Sequence, residues 1–72
     1  MEMKKPNKNY KEVEFGTLPI GATFYSSIGR KLMKTEEVKD HKDNTYNAIG
    51  LKEFWAGQMD WFFEEETVWI RK

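Results

Sequence analysis

The sequence contains no cysteine and a single histidine, His41. Without thiols there is no disulfide framework, and one imidazole cannot assemble a structural zinc site. Long apolar runs are missing too: none exceeds three residues, as in Trp61-Phe62-Phe63. A membrane-spanning helix needs about twenty, and a secretory signal needs an apolar stretch of roughly seven to fifteen. The expectation is a soluble, cytoplasmic protein, and cysteine-free composition agrees with a reducing compartment. An excess of one charge is also lacking, because twelve Lys and Arg balance twelve Asp and Glu. Nucleic-acid binders carry a basic excess, since neutralising phosphates releases counterions and drives affinity. The balance argues against nucleic acid as the main partner.

The same scarcity removes most chemistry. Hydroxyls are present at Ser26, Ser27 and Thr35, but one histidine in a polar stretch supplies no base with an orienting partner. The acids lie in short local runs rather than as a pair facing across a cleft. Glu64-Glu65-Glu66 reads as an exposed turn more readily than as a site for a hard cation, which wants several converging oxygens. The Gly16–Gly21 region lacks the Lys-Ser/Thr of a phosphate loop. No catalytic residue, metal or cofactor is expected, and the chain reads as non-enzymatic.

What the sequence has is aromatic bulk: three Trp, three Tyr and five Phe among 72 residues. A single domain this small buries only about 60% of its unfolded surface, so the core depends on side chains that each bury a large area. Residues 1–11 are polar, with Lys4, Lys5, Lys8 and Lys11 against Glu2, and read as a flexible basic N-terminal arm. Residues 12–72 read as one domain. Phe15, Leu18, Ile20 and Phe24 are apolar anchors set among Gly16, Pro19 and Gly21, which is turn punctuation. Strands are expected over Ala22–Ser27 and Arg30–Val38, joined at Ile28-Gly29-Arg30. The polar run Asp40-His41-Lys42-Asp43-Asn44 is a loop. Thr45–Leu51 and Thr67–Arg71 complete the strand pattern.

Between those last two lies an ambiguous stretch. Leu51, Phe54, Trp55, Met59 and Phe62 fall at helical spacing, although Gly57 would cost such a helix about 1 kcal/mol relative to alanine. Alternatively Ala56-Gly57-Gln58 is a hairpin turn and Met59–Glu64 a strand. The local pattern leaves an α+β fold with a helix over 51–63 and an all-β fold both open.

The phrase Phe15-x-x-Leu18-Pro19-Ile20-Gly21-Ala22-x-Phe24 resembles the opening of small bacteriophage-type SH3-like barrel proteins. Lys34-Thr35, Asn47-Ala48, Gly57, and Phe63 with Thr67-Val68 match that family's later positions. The resemblance implies an all-β, five-stranded SH3-like barrel with Gly57 at a turn. It implies no shared catalytic or binding residues, and the aromatic turn Lys52–Gln58 departs from the family pattern.

Three surfaces are available for binding. A partner-binding aromatic patch is expected from Phe54, Trp55, Trp61 and Phe63, since a small barrel buries only about six or seven of its aromatics and exposed clusters mark interaction sites. In a strand, Trp61 and Phe63 would share the face opposite Phe62. A cationic strip of Ser26, Ser27, Arg30, Lys31 and Lys34 suits a phosphate, or else is a charged edge that blocks aggregation. Asp60 with Glu64–Glu66 beside Trp61 forms an acidic surface that suits a basic protein, or else is a solubilising turn. The functional expectation is a phage-encoded accessory protein that binds and modulates a host protein, defence inhibition being its narrowest form. The alternatives are an oligomeric binder that sequesters a nucleotide or other phosphate ligand, and weak nucleic-acid binding by the arm and strip.

Overall fold

A computed structural model of the chain describes residues 9–72. The basic arm expected at the N-terminus lies outside these residues as far as position 8, and its last part is not an arm. Strand β1 runs Tyr10–Glu14, followed by a 3-10 turn at Phe15–Thr17. Then come β2 (Thr23–Tyr25), β3 (Lys31–Lys39), β4 (Thr45–Gly50), a second 3-10 turn (Glu53–Trp55), β5 (Met59–Asp60) and β6 (Thr67–Arg71). All strands join one antiparallel sheet in the order β1-β6-β2-β3-β4-β5. It curls into a half-barrel, so the fold is small, all-β and barrel-like.

Six strands stand where five were expected. Tyr10 and Val13 break the period-2 alternation, so β1 has no strand signature of its own. It forms because β6 lies alongside, in register from Tyr10↔Arg71 to Glu14↔Thr67. Val13 packs on the core, and the Tyr10 ring meets Tyr25 edge-on at 5.2 Å. The helix over 51–63 does not form. Gly57 has a positive φ of 82°, a conformation glycine adopts without steric cost. Its N–H donates to the Gly50 carbonyl, and the Gly50 N–H donates to Gln58, closing a turn. The expected strand Met59–Glu64 is cut to Met59–Asp60, for a reason given below.

Alternate strand residues point into the concave face. Phe24, Leu32, Ala48 and Val68 are fully buried there, joined by Phe15, Leu18 and Phe62. The three phenylalanines form one cluster, with ring centroids 5.1–5.3 Å apart. Only these three of the eleven aromatics are buried, fewer than expected, and the other eight are half-buried or exposed. Among the described residues no helix is long and apolar enough to cross a membrane.

The 40–44 loop is organised by one carboxylate. Asp40 accepts hydrogen bonds from the Lys42 and Asn44 N–H groups at 2.8 and 3.0 Å, from Asn44 Nδ2, and from the Tyr46 hydroxyl. Desolvation pushes the Asp40 carboxyl up, but the hydrogen bonds outweigh it and hold it below its ordinary value. The bond to Asp40 in turn raises the Tyr46 phenol. The folded state therefore releases the Asp40 proton more readily than the unfolded chain. Its contribution to stability is present above the unfolded value, about 3.9, and is lost as pH falls through the lower folded value. Thermal midpoints followed from neutral pH downward should fall more steeply for the wild type than for Asp40→Asn. Parallel profiles would refute this role.

Candidate functional site

After β5 the chain leaves the sheet and crosses the open end of the half-barrel. What ends β5 is Asn47, whose side chain takes the place of a strand. Its Nδ2 donates to the Phe62 carbonyl at 2.8 Å, and its Oδ1 accepts from the Phe62 N–H at 2.9 Å. A primary amide presents a donor and an acceptor side by side, as a peptide group does. Asn47 itself is buried. The crossing segment is held further by Phe15 N–H to Glu66 O (2.9 Å) and Gly16 N–H to Glu64 O (2.7 Å). The Glu66 carboxylate accepts from the Phe63 N–H at 3.1 Å.

Pinning Phe62 inward turns its neighbours outward. Phe63 is 62% exposed and Trp61 38%, and the two rings meet edge-on with centroids 6.4 Å apart. They line a groove of about 690 Å³ whose floor includes Phe15, Leu18 and Phe62. Ile20, 61% exposed, lines it as well. Four exposed carboxylates rim it, Glu36 and Glu37 from β3 and Glu64 and Glu65 from the crossing segment. Among the described residues the one ammonium in the lining is that of Lys34. It donates to the Leu18 and Phe15 carbonyls at 2.7 and 3.2 Å and sits 4.6 Å from the Phe15 ring centroid. Its charge is turned to the main chain beneath the groove.

The expected aromatic patch is therefore two pairs. Trp61 and Phe63 belong to the groove. Phe54, 89% exposed, meets Trp55 edge-on at the second 3-10 turn, and neither lines the groove. The cationic strip is likewise divided. The Arg30 guanidinium lies 5.1 Å from the Trp55 ring centroid, and one of its nitrogens is 3.7 Å from an Asp60 oxygen. Lys31 lies 6.0 Å from the centre of the Tyr25 ring. Ser26 caps the β2–β3 turn, its Oγ accepting from the Arg30 N–H at 3.2 Å, and Ser27 is exposed beside it. Lys34 is turned to main-chain carbonyls, and Arg30 and Lys31 each lie against a ring of their own.

Ile20, Glu36, Glu37 and Asn47 are site residues that spacing alone does not reveal. Asn47 left two traces, a polar residue inside an expected strand and the Asn47-Ala48 match to the resembled family. Among the described residues no group of three or more His, Cys, Asp or Glu is placed to hold a metal ion. Compared with protein-family models, curated proteins and solved structures, the chain matches none.

Proposed function

We propose that this chain is a non-enzymatic protein-binding module that receives a basic protein surface in the groove of Trp61 and Phe63. One observation carries the reading: two exposed rings are held outward by a bonded main chain inside an acidic rim. Rigid aromatics contribute large contact area at low entropic cost, and they dominate binding energy where water is excluded around them. The surrounding carboxylates steer and select a partner of opposite charge. The resemblance of the opening motif extends the proposal to a phage-encoded factor acting on a host protein in the host cytoplasm, with a defence component as its narrowest target. A phosphate-ligand reading draws less support, because the Lys34 ammonium is hydrogen-bonded to main-chain carbonyls and an Asp60 carboxylate lies beside the Arg30 guanidinium.

The test is a comparison of captured proteins between the wild type and the double variant Trp61→Ala, Phe63→Ser. Both side chains are exposed, so the fold, checked by circular dichroism, should persist. A genuine partner should bind the variant at least about 30-fold more weakly, the loss expected of one hot-spot residue. Retention of every captured protein by the variant would overturn the reading.

A further inference from the structure

Strand β3 is nine residues long and β2 only three. On the β2 side, backbone pairing to β3 ends with Gly21 N–H to Lys34 O at 2.8 Å and Lys34 N–H to Ala22 O at 2.9 Å. Beyond Lys34 no described strand lies on that side. On the other side the register jumps from Lys34↔Ala48 to Val38↔Tyr46, so three β3 residues face Asn47 alone and the strand bulges. The bulged residues Thr35, Glu36 and Glu37 are the ones that line the groove, and Ile20 stands just past the end of the β2 line.

We infer that the groove takes its partner as an extended basic segment that adds a strand to the free edge of β3. This rests on the groove being a protein-binding site. A chain continuing the line of β2 would run along 35–37, which no described strand pairs on that side. Val38 is back in register with Tyr46 of β4. The Glu36 carbonyl accepts from the Thr35 hydroxyl at 2.9 Å, a local bond that an added strand would have to share or displace. Its alternate side chains would turn towards Ile20, Trp61 and Phe63. Lysine or arginine stems lie well on such apolar surface while their charged ends reach outward to carboxylates. Here the carboxylates in the lining are Glu36 and Glu37 from β3 and Glu64 and Glu65 from the crossing segment. The acidic edge also selects against a second copy of this chain, because pairing β3 with itself would bring like charges together. A polyphosphate backbone is repelled by the same four groups.

The probes are three peptides of about eight residues, long enough for one strand: alternating Lys and Val, alternating Glu and Val, and the Lys-Val peptide N-methylated at alternate amides. Binding is followed by amide chemical shifts of the full chain. The Lys-Val peptide should shift the 35–37 amides and the Trp61 indole, and should weaken about tenfold between about 50 and 500 mM salt. N-methylation on the pairing edge should weaken it by at least about tenfold. The exposed double variant Glu36→Lys, Glu37→Lys should lose it. Equal binding of the N-methylated peptide, or shifts that spare 35–37, would rule out strand addition; equal binding of the acidic peptide would rule out the charge preference. If all peptides fail while a captured protein still depends on Trp61 and Phe63, strand addition is wrong and the groove remains a binding site. If that dependence fails as well, both ideas fall.

Discussion

Replacing Gly50 with alanine should destabilise this protein more than any other single methyl addition in the sheet. A Cβ at position 50 would fall on the Trp55 carbonyl oxygen, well inside contact distance, with the Trp55 carbonyl carbon and Cβ close behind. Neither side can yield cheaply. Gly50 donates to Gln58 O, accepts from Gly57 N–H and pairs with Leu32, while the Trp55 carbonyl accepts from Gln58 N–H at 3.0 Å. Relief therefore requires opening the turn that joins β4 to β5. Overpacking a well-packed site costs about 1–3 kcal/mol, and a clash against hydrogen-bonded main chain belongs at or above the top of that range. Against a total stability of about 4–11 kcal/mol for a chain this size, a loss of about 3 kcal/mol is large. Thermal unfolding should show a midpoint lowered by about 12–24 °C. A midpoint within about 3 °C of the wild type would mean that 50–58 is not packed in this way.

The second large effect is expected at Asn47. Alanine there removes both hydrogen bonds to Phe62 and leaves a peptide N–H and C=O without partners beside the core. Each buried unsatisfied group costs about 1–3 kcal/mol, so with two of them urea unfolding should report a loss of about 2–6 kcal/mol. Asn47→Asp separates this from a simple loss of volume. The aspartate keeps the acceptor for the Phe62 N–H but sets an oxygen against the Phe62 carbonyl. Protonation restores a donor, so its carboxyl should be held above the ordinary value in the folded state. Folding then favours proton uptake, and this variant should regain stability as pH falls through that raised value. A pH profile parallel to that of Asn47→Ala would show that the paired bonds are not what holds the crossing segment. Because Trp61 and Phe63 flank Phe62, either substitution should also weaken partner binding at the groove.

Most of the strand and turn pattern was legible because it rests on local signals, while the choice of hairpin over helix at 51–63 rested on the resemblance. The polar 40–44 run, the Gly57 turn and the β-branched and aromatic stretch Thr67–Arg71 each appear where expected. The opposed orientation of Phe62 against Trp61 and Phe63 also followed from alternation, although the segment is not a ladder strand. The site was legible only in pieces. Trp61, Phe63, Glu64 and Glu65 could be read as aromatic and acidic features of one stretch. Nothing in their spacing brings Ile20, Glu36 or Glu37 to them, since register decides which distant residues share a groove.

What the sequence determined alone was a mostly strand-forming chain, turned at polar and glycine positions, open between helix and hairpin over 51–63, with too little histidine and no cysteine for thiol or zinc chemistry. Strand and turn preferences act over a few residues, so they can be read from a few residues. Three things were decided only by the tertiary structure. β1 is a strand because β6 runs beside it. Lys34 leaves the cationic strip because the Phe15 and Leu18 carbonyls are within reach. The groove opens at one end of the half-barrel because Asn47 pairs with Phe62 across fifteen residues of sequence. Each depends on a polar group finding its partner far along the chain. A buried main-chain group must be satisfied by whatever the fold brings near, and that neighbour is not written in the local pattern.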